Sequence, residues 1–240
     1  MGGTTIGPFL RLLASQAPAD SSIVEVGTWL GAGTAYLALG VRDRNDRSVD
    51  IHCFDGWSAS KAERQEALIQ KGIVLESFED TLPRVQDVLS SFQVDIRYHK
   101  GDVNDAQWDG RRISVYVDDA SKGPDTFLHV LKTFGPYWIP GETVIVLMDY
   151  YYWKKLRRWR AIEYRCQQSF IEAHSDHFTL IKDFRERFDV PFSNEAFRYE
   201  RALDFAALRP ERSPTSLRRL IPAPVGAIAH RVLSRMGFDV

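Results

Sequence analysis

Cysteine is scarce in this chain of 240 residues: Cys53 and Cys166 are its only two, and no C-x-x-C arrangement exists. That excludes a cysteine-based zinc site and a disulfide framework, and makes a reducing cytosol the expected compartment. No apolar run approaches the roughly 18 residues that a membrane-crossing helix needs. A basic region followed by an apolar core is also missing at the N-terminus, so an unexported, cytoplasmic protein is expected. Met1-Gly2 opens like a myristoylation signal, but Ile6 stands where that signal wants Ser or Thr. Neither sign of charge is in excess: 31 basic residues face 32 acidic ones, net −1, which gives no whole-chain drive toward nucleic acid. Internal repeats and low-complexity tracts are absent as well.

The chain is long enough for one α/β domain with an appendage, and its 44% hydrophobic content supports a sizeable core. After a lead-in helix at Phe9–Gln16, strand-like runs at Ile23–Val26, Ile51–Phe54, Val94–Tyr98, Ile113–Val117 and Thr143–Leu147 alternate with helical patterns. The helices are expected at Gly33–Val41, Lys61–Gln70, Leu82–Ser91, Pro124–Phe134 and Lys155–His174. Such alternation predicts a parallel sheet covered on both faces. Two last strands, His177–Lys182 and Glu195–Tyr199, lie close together with no helix expected between them and should pair antiparallel. The Gly56–Gln93 connection is long for its position and is expected to hold one helix and a mobile piece near the ligand, as a lid or as plain decoration.

Glu25-Val26-Gly27-Thr28-Trp29-Leu30-Gly31-Ala32-Gly33-Thr34 follows the first apolar run and opens a helical pattern, a strand-to-helix turn whose free amides face a ligand. The nicotinamide fingerprint G-x-G-x-x-G fails in both registers, since Tyr36 stands where the third glycine belongs, and no Walker loop is present. The pattern E-x-G-x-x-x-G-x-G-T resembles the first motif of class I S-adenosylmethionine-dependent methyltransferases. The resemblance covers roughly residues 20–200 and implies a Rossmann-like, three-layer αβα fold: a seven-stranded, mostly parallel sheet with an antiparallel last strand. It also implies that Glu25 helps hold the methionine ammonium of S-adenosylmethionine, with Gly27, Gly31, Gly33 and Thr34 passing close to it. Residues just beyond the strands matter most in such a sheet. Asp55, after the second strand, can accept both ribose hydroxyls or cap a turn; Trp57 can lie against the adenine or simply pack. Gly101 and Asp102 match the family position at the adenine edge, with an Asx-turn as the alternative for Asp102.

Chemistry is expected at the next two strand ends. Asp119-Ala120-Ser121-Lys122, and Asp149 with Trp153, resemble the D-A-x-K and D-N-x-x-W motifs of cation-dependent catechol- and caffeoyl-CoA-type O-methyltransferases. A related comparison is with bacterial macrocin-type sugar O-methyltransferases, whose acidic pair has Met148 at one of its positions here. The resemblance implies a magnesium-like ion on Asp119 and Asp149 and a lysine, Lys122, that helps deprotonate the acceptor hydroxyl. The asparagine position, however, is Tyr150, a poor ligand for a hard cation. Without a metal, Asp118 or Asp119 would act as base and Lys122 would stabilise the oxyanion; alternation along the strand leaves open which aspartate faces the cleft. Asp118 is also an expected cofactor contact. His99 and His129 are weaker candidates, and the run from Tyr150 to Trp153 is expected to wall a small-molecule or glycan acceptor pocket.

The domain is expected to span 1–207 and to be followed by a basic, Pro-rich tail, 208–240, in which Val225, Ile228, Val232 and Met236 fall on one helical face. That tail could dock on the protein itself or a second copy in a homo-oligomer, or meet an anionic membrane surface or a partner protein. The function expected from all this is S-adenosylmethionine-dependent O-methylation. A fold-retaining scaffold without chemistry, a nicotinamide-dependent oxidoreductase and an RNA methyltransferase are the other readings.

Overall fold

The computed structural model describes residues 3–44, 46, 48–77, 79–108, 110–182, 184–188 and 193–210. The apolar stripe expected in the tail, at Val225, Ile228, Val232 and Met236, lies outside the described residues.

Four runs form the middle of the sheet because their side chains are buried on both faces: β1 (Ser22–Val26), β2 (Asp50–Asp55), β4 (Ile113–Asp118) and β5 (Val144–Leu147). β3 (Ile96–Lys100) and β6 (Phe178–Leu180) are more exposed because they are the edges, and β7 (Glu195–Tyr199) completes the seven. The order is β3-β2-β1-β4-β5-β7-β6; β7 runs antiparallel to both neighbours and the other six strands are parallel. Strand order reverses between β1 and β4, so the crevice that binds ligands in open α/β sheets opens there, at the carboxyl ends.

Helices cover both faces. α1 (Gly3–Gln16), α2 (Ala32–Arg42) and α4 (Leu82–Ser90) pack with the short α8 (Phe184–Phe188) on one side. α5 (Pro124–Phe134) and α7 (Cys166–Ala173) pack on the other, with Trp108, Trp138 and Phe205. α5 begins at Pro124, whose fixed φ and missing N–H suit a first helical position. α1 and α2 approach closely at glycines: a Cβ on Gly40 would stand 2.2 Å from the Arg11 carbonyl oxygen and 2.7 Å from Ala14 Cβ. Gly40→Ala is therefore expected to destabilise the fold by roughly 1–3 kcal/mol through forced separation of the two helices. A denaturant midpoint unchanged from wild type would contradict it.

Three expectations are corrected. The Gly56–Gln93 connection holds both helices that the residue pattern predicts within it, α3 (Lys61–Lys71) and α4, in place of the one helix and mobile piece expected of the connection as a whole, and α3 starts with a complete capping box between Ser60 and Glu63. A helix does stand between β6 and β7: Phe184, the first residue of α8, packs its ring 4.4 Å from that of Phe9 on α1. The expected single helix Lys155–His174 is broken into a 3-10 turn at Tyr152–Lys155, α6 (Arg158–Tyr164) and α7. No proline or glycine breaks it. Tertiary contacts do: Gln167 Nε2 donates to the Ser121 carbonyl (3.3 Å) and Trp153 Nε1 to Gln168 Oε1 (2.8 Å), so α7 is seated by the β4–α5 turn and by the preceding aromatic segment.

Candidate active site

The turn after β1 is built by close approach. Gly27 has φ 89° and donates its N–H to the Phe54 carbonyl; a Cβ there would meet the backbone of Asp119 and Ala120 at 2.8 and 2.9 Å. Gly31, with φ 78°, caps α2 without any side-chain hydrogen bond, so the helix presents its first amides unblocked by a cap. Gly33 lies inside the helix, yet a Cβ there would fall 2.1 Å from Glu25 Oε1. Glycine is needed at that position so that a carboxylate can fit beside the helix.

Glu25 is buried, accepts a short hydrogen bond from Thr34 Oγ1, and has no cation against it among the described residues. Burial pushes its carboxyl up to about 8, with Thr34 opposing the rise and Asp119 and Asp55 adding to it. A buried carboxylate held apart from any positive charge is complementary to an ammonium, and the glycine-lined turn beside it leaves room for a backbone-like ligand. The residues thus fit the methionine end of S-adenosylmethionine.

Asp55 accepts from two backbone amides, Trp29 N–H at 2.8 Å and Trp57 N–H at 2.6 Å, and so ties the loops after β1 and β2 together. Burial raises its carboxyl above the ordinary range, while those two amides act in the opposite sense. Trp29, Trp57 and Asp149 all have left-handed backbone (φ 46°, 45° and 62°), so the loops after β1, β2 and β5 each carry a strained non-glycine residue. Trp57 is fully enclosed, 6.0 Å from the Tyr98 ring centre, which makes its ring a core group with no surface left for adenine. Its left-handed backbone turns it inward, a feature that sequence pattern does not carry. Gly101 donates to the Asp55 carbonyl, and the exposed Asp102 forms an Asx-turn by accepting from Asn104 N–H and Nδ2, each at 2.8 Å.

Adjacent aspartates end β4 and point opposite ways. Asp118 is fully buried and accepts from Ala120 N–H, Ser121 N–H and Ser121 Oγ, so its carboxylate organises the turn and does not reach the cleft where catalytic and cofactor roles were expected of it. Asp119 faces out. Lys122 Nζ lies 2.8 Å from Asp119 Oδ1, 3.0 Å from Asp149 Oδ2 and 3.3 Å from the Met148 carbonyl, an ammonium seated between two carboxylates from neighbouring strands. The three side chains are 36%, 38% and 23% exposed for Asp119, Asp149 and Lys122, open enough for an acceptor to reach. Burial alone would lower Lys122, but Asp119 and Asp149 outweigh it and hold the amine above its ordinary value, hence protonated. Burial raises the Asp119 carboxyl; Lys122 opposes that and the nearby Asp149 and Asp118 charges reinforce it. A carboxylate with raised pKa beside a fixed ammonium can take a proton from a hydroxyl and stabilise the oxyanion that forms.

A divalent cation does not fit this donor set. The space between the two carboxylates is taken by Lys122, and Tyr150 is buried with its ring against Tyr151 and Phe197. Among the described residues no group of three or more His, Cys, Asp or Glu side chains is placed to hold a metal.

His99 pairs with His52 (2.9 Å) and stacks on Phe54, and His129 sits within α5 against the Ala106 carbonyl; neither joins the carboxylate cluster. Two residues that the sequence pattern did not single out do join it. Buried Asn194 accepts from Asp149 N–H (3.0 Å), and buried Gln167 braces the Ser121 carbonyl. Only the polar Ser193-Asn194 step before the last strand could have drawn notice to the first. A cavity of ≈ 430 Å3 lined by Phe9, Leu13, Phe184, Phe188, Arg187 and Arg198 opens elsewhere, near the starts of β4 and β5.

Comparison with known proteins agrees with the fold. Solved structures sharing the fold include the O-methyltransferase NovP (15% identity, TM-score 0.52, covering 82% of this chain and 80% of that one). The calicheamicin methyltransferase CalS11 aligns at 12% identity and TM-score 0.53, over 80% of this chain and 76% of its own. The CcbJ methyltransferase from Streptomyces caelestis aligns at 13% identity and TM-score 0.51, over 82% and 90%. No curated protein sequence matches the chain. The family model described as a methyltransferase domain matches residues 24–150, more than half of the chain and the span from within β1 through β5. This chain therefore belongs to the methyltransferase domain family, and it is an S-adenosylmethionine-dependent methyltransferase.

Proposed function

We propose that this methyltransferase acts on a hydroxyl oxygen of a small-molecule or glycan acceptor and does so without a metal ion. The observation that carries the reading is the Lys122 ammonium lying between Asp119 and Asp149 at the carboxyl ends of β4 and β5. In this reading Glu25 holds the methionine ammonium, Gly27, Gly31, Gly33 and Thr34 shape the cradle, and Asp55, Gly101 and Asp102 lie toward the adenosine. Bound S-adenosylmethionine supplies an electrophilic methyl group. Asp119 would take the proton of the acceptor hydroxyl as that oxygen receives the methyl group, with S-adenosylhomocysteine as the leaving product. Lys122 stabilises the negative charge developing on oxygen, and Asp149 keeps that ammonium in place.

The similarity to NovP, an O-methyltransferase, supports oxygen as the methylated atom. The catalytic domain in this proposal is 1–207, working in the cytoplasm, with 208–240 as an appendage that serves self-association or peripheral contact. Calorimetric titration with S-adenosylhomocysteine, with and without magnesium, tests the proposal before any acceptor is known. Micromolar binding that is indifferent to magnesium is expected, followed by a magnesium-independent hit in a screen of hydroxylated acceptors. Absence of cofactor binding, or turnover abolished by a chelator and restored by magnesium, would sink it.

A further inference from the structure

The segment after β5 carries a charge that the reaction as described does not use. Between residues 154 and 165 stand Lys154, Lys155, Arg157, Arg158, Arg160 and Arg165 against the lone acid Glu163, in a chain whose net charge is −1. Lys154, Lys155, Arg157, Arg160 and Arg165 are all exposed. This basic stretch is anchored to the carboxylate cluster at both ends. Tyr152 N–H donates to the Asp149 carbonyl at its start, and Gln167, just past its end, donates to Ser121 in the turn that holds Asp119 and Lys122. It therefore runs as an arch from the end of β5 to the turn after β4.

Within the arch an aromatic platform is fixed in place. The Trp153 indole N–H is held by Gln168, and the ring centre lies 5.8 Å from the Lys154 ammonium and 5.3 Å from the Arg165 guanidinium. Lys154 also lies 4.2 Å from the Tyr151 ring centre. Its two ring contacts neutralise no charge, and Arg160 has no ionic partner among the described residues. The reacting cluster itself has two carboxylates for one ammonium, so it repels an anion while the arch beside it attracts one.

From this juxtaposition we propose that the acceptor is bifunctional, with its hydroxyl at Asp119 and Lys122 and a phosphate or diphosphate group on the basic arch at residues 154–165. The inference rests on the methyltransfer reading of the same cluster and adds the chemical class of the acceptor. Phosphate oxygens match exposed lysine and arginine donors through charge-assisted hydrogen bonds. An acceptor base or sugar ring can lie on the Trp153 platform.

Inorganic pyrophosphate is the probe, titrated calorimetrically into protein already saturated with S-adenosylhomocysteine, so that the cofactor pocket is closed to it. Wild type is expected to bind it with an affinity that falls as salt rises. Lys154→Gln with Arg160→Gln should weaken binding by at least about tenfold while the S-adenosylhomocysteine affinity stays unchanged, which also shows that the variant is folded. Pyrophosphate heat absent from cofactor-loaded wild type, or equal in the variant, overturns the proposal. Tighter binding of a short single-stranded oligoribonucleotide, with release of several counterions, overturns it in favour of nucleic acid. Loss of S-adenosylhomocysteine binding by wild type would instead strike the function on which the inference rests.

Discussion

Glu25→Gln is expected to weaken S-adenosylhomocysteine binding on the order of 10²–10³-fold, because it removes the charged partner of a desolvated ammonium. Wild-type binding should also release a proton. With its carboxyl raised to about 8 by burial, Glu25 is largely protonated in the free protein at neutral pH, and pairing with the ligand ammonium ionises it. Up to one proton should be released per cofactor bound at neutral pH, and affinity should climb as pH rises toward about 8. Calorimetry in two buffers of contrasting ionisation enthalpy measures this directly, and equal heats in both would refute the pairing. The sign for stability runs the other way. A carboxyl whose folded pKa lies above its unfolded value binds its proton more tightly in the fold, so stability falls as pH rises from about 4.5 to about 8. The loss is up to about 5 kcal/mol for a shift of this size. Glu25→Gln, which cannot ionise, should consequently melt higher than wild type at alkaline pH even though it fails to hold the cofactor.

Lys122→Met should turn a metal-indifferent protein into one that binds a divalent cation. The isosteric side chain removes the ammonium and leaves Asp119 and Asp149 facing each other with no counterion, a vacancy of one or two positive charges that hard cations fill. Manganese titrated into the variant should show one site, with no corresponding site in wild type; a site of equal affinity in wild type would refute the reading of Lys122 as the resident cation. The complementary variant is Asp119→Asn, which keeps the shape and loses the base. With an acceptor in hand, its kcat is expected to fall by about 10²–10⁴-fold while cofactor affinity holds. The two variants together separate a base from its electrostatic support.

What the sequence made legible follows from how local each signal is. The runs that became β1, β2, β4 and β5 are mostly apolar, interrupted only by single polar residues such as Glu25, His52 and Ser114, because both faces are buried, and they were readable as such. Glu25, the glycines behind it and the Asp119/Lys122 spacing are likewise local patterns. Other features depended on contacts between distant segments. Asp118 and Asp119 are indistinguishable until Ser121 closes on the first of them. The break between α6 and α7 comes from Gln167 reaching Ser121, 46 residues away. Trp57 is in the core because a left-handed residue turns the chain inward, which residue type does not announce.

The hydrogen bond from Asp149 N–H to Asn194 Oδ1 has a consequence in time as well as in space. A ribosome delivers β1, β2 and the glycine turn early, and the parallel half of the sheet can begin to assemble from them. Asp149 emerges later, in a left-handed conformation, and the amide acceptor that holds it there arrives 45 residues after it, with the antiparallel strand. The glycine turn closes against Asp119 and Ala120, just after β4, whereas the Asp149 end of the cluster waits for a residue supplied at the last strand.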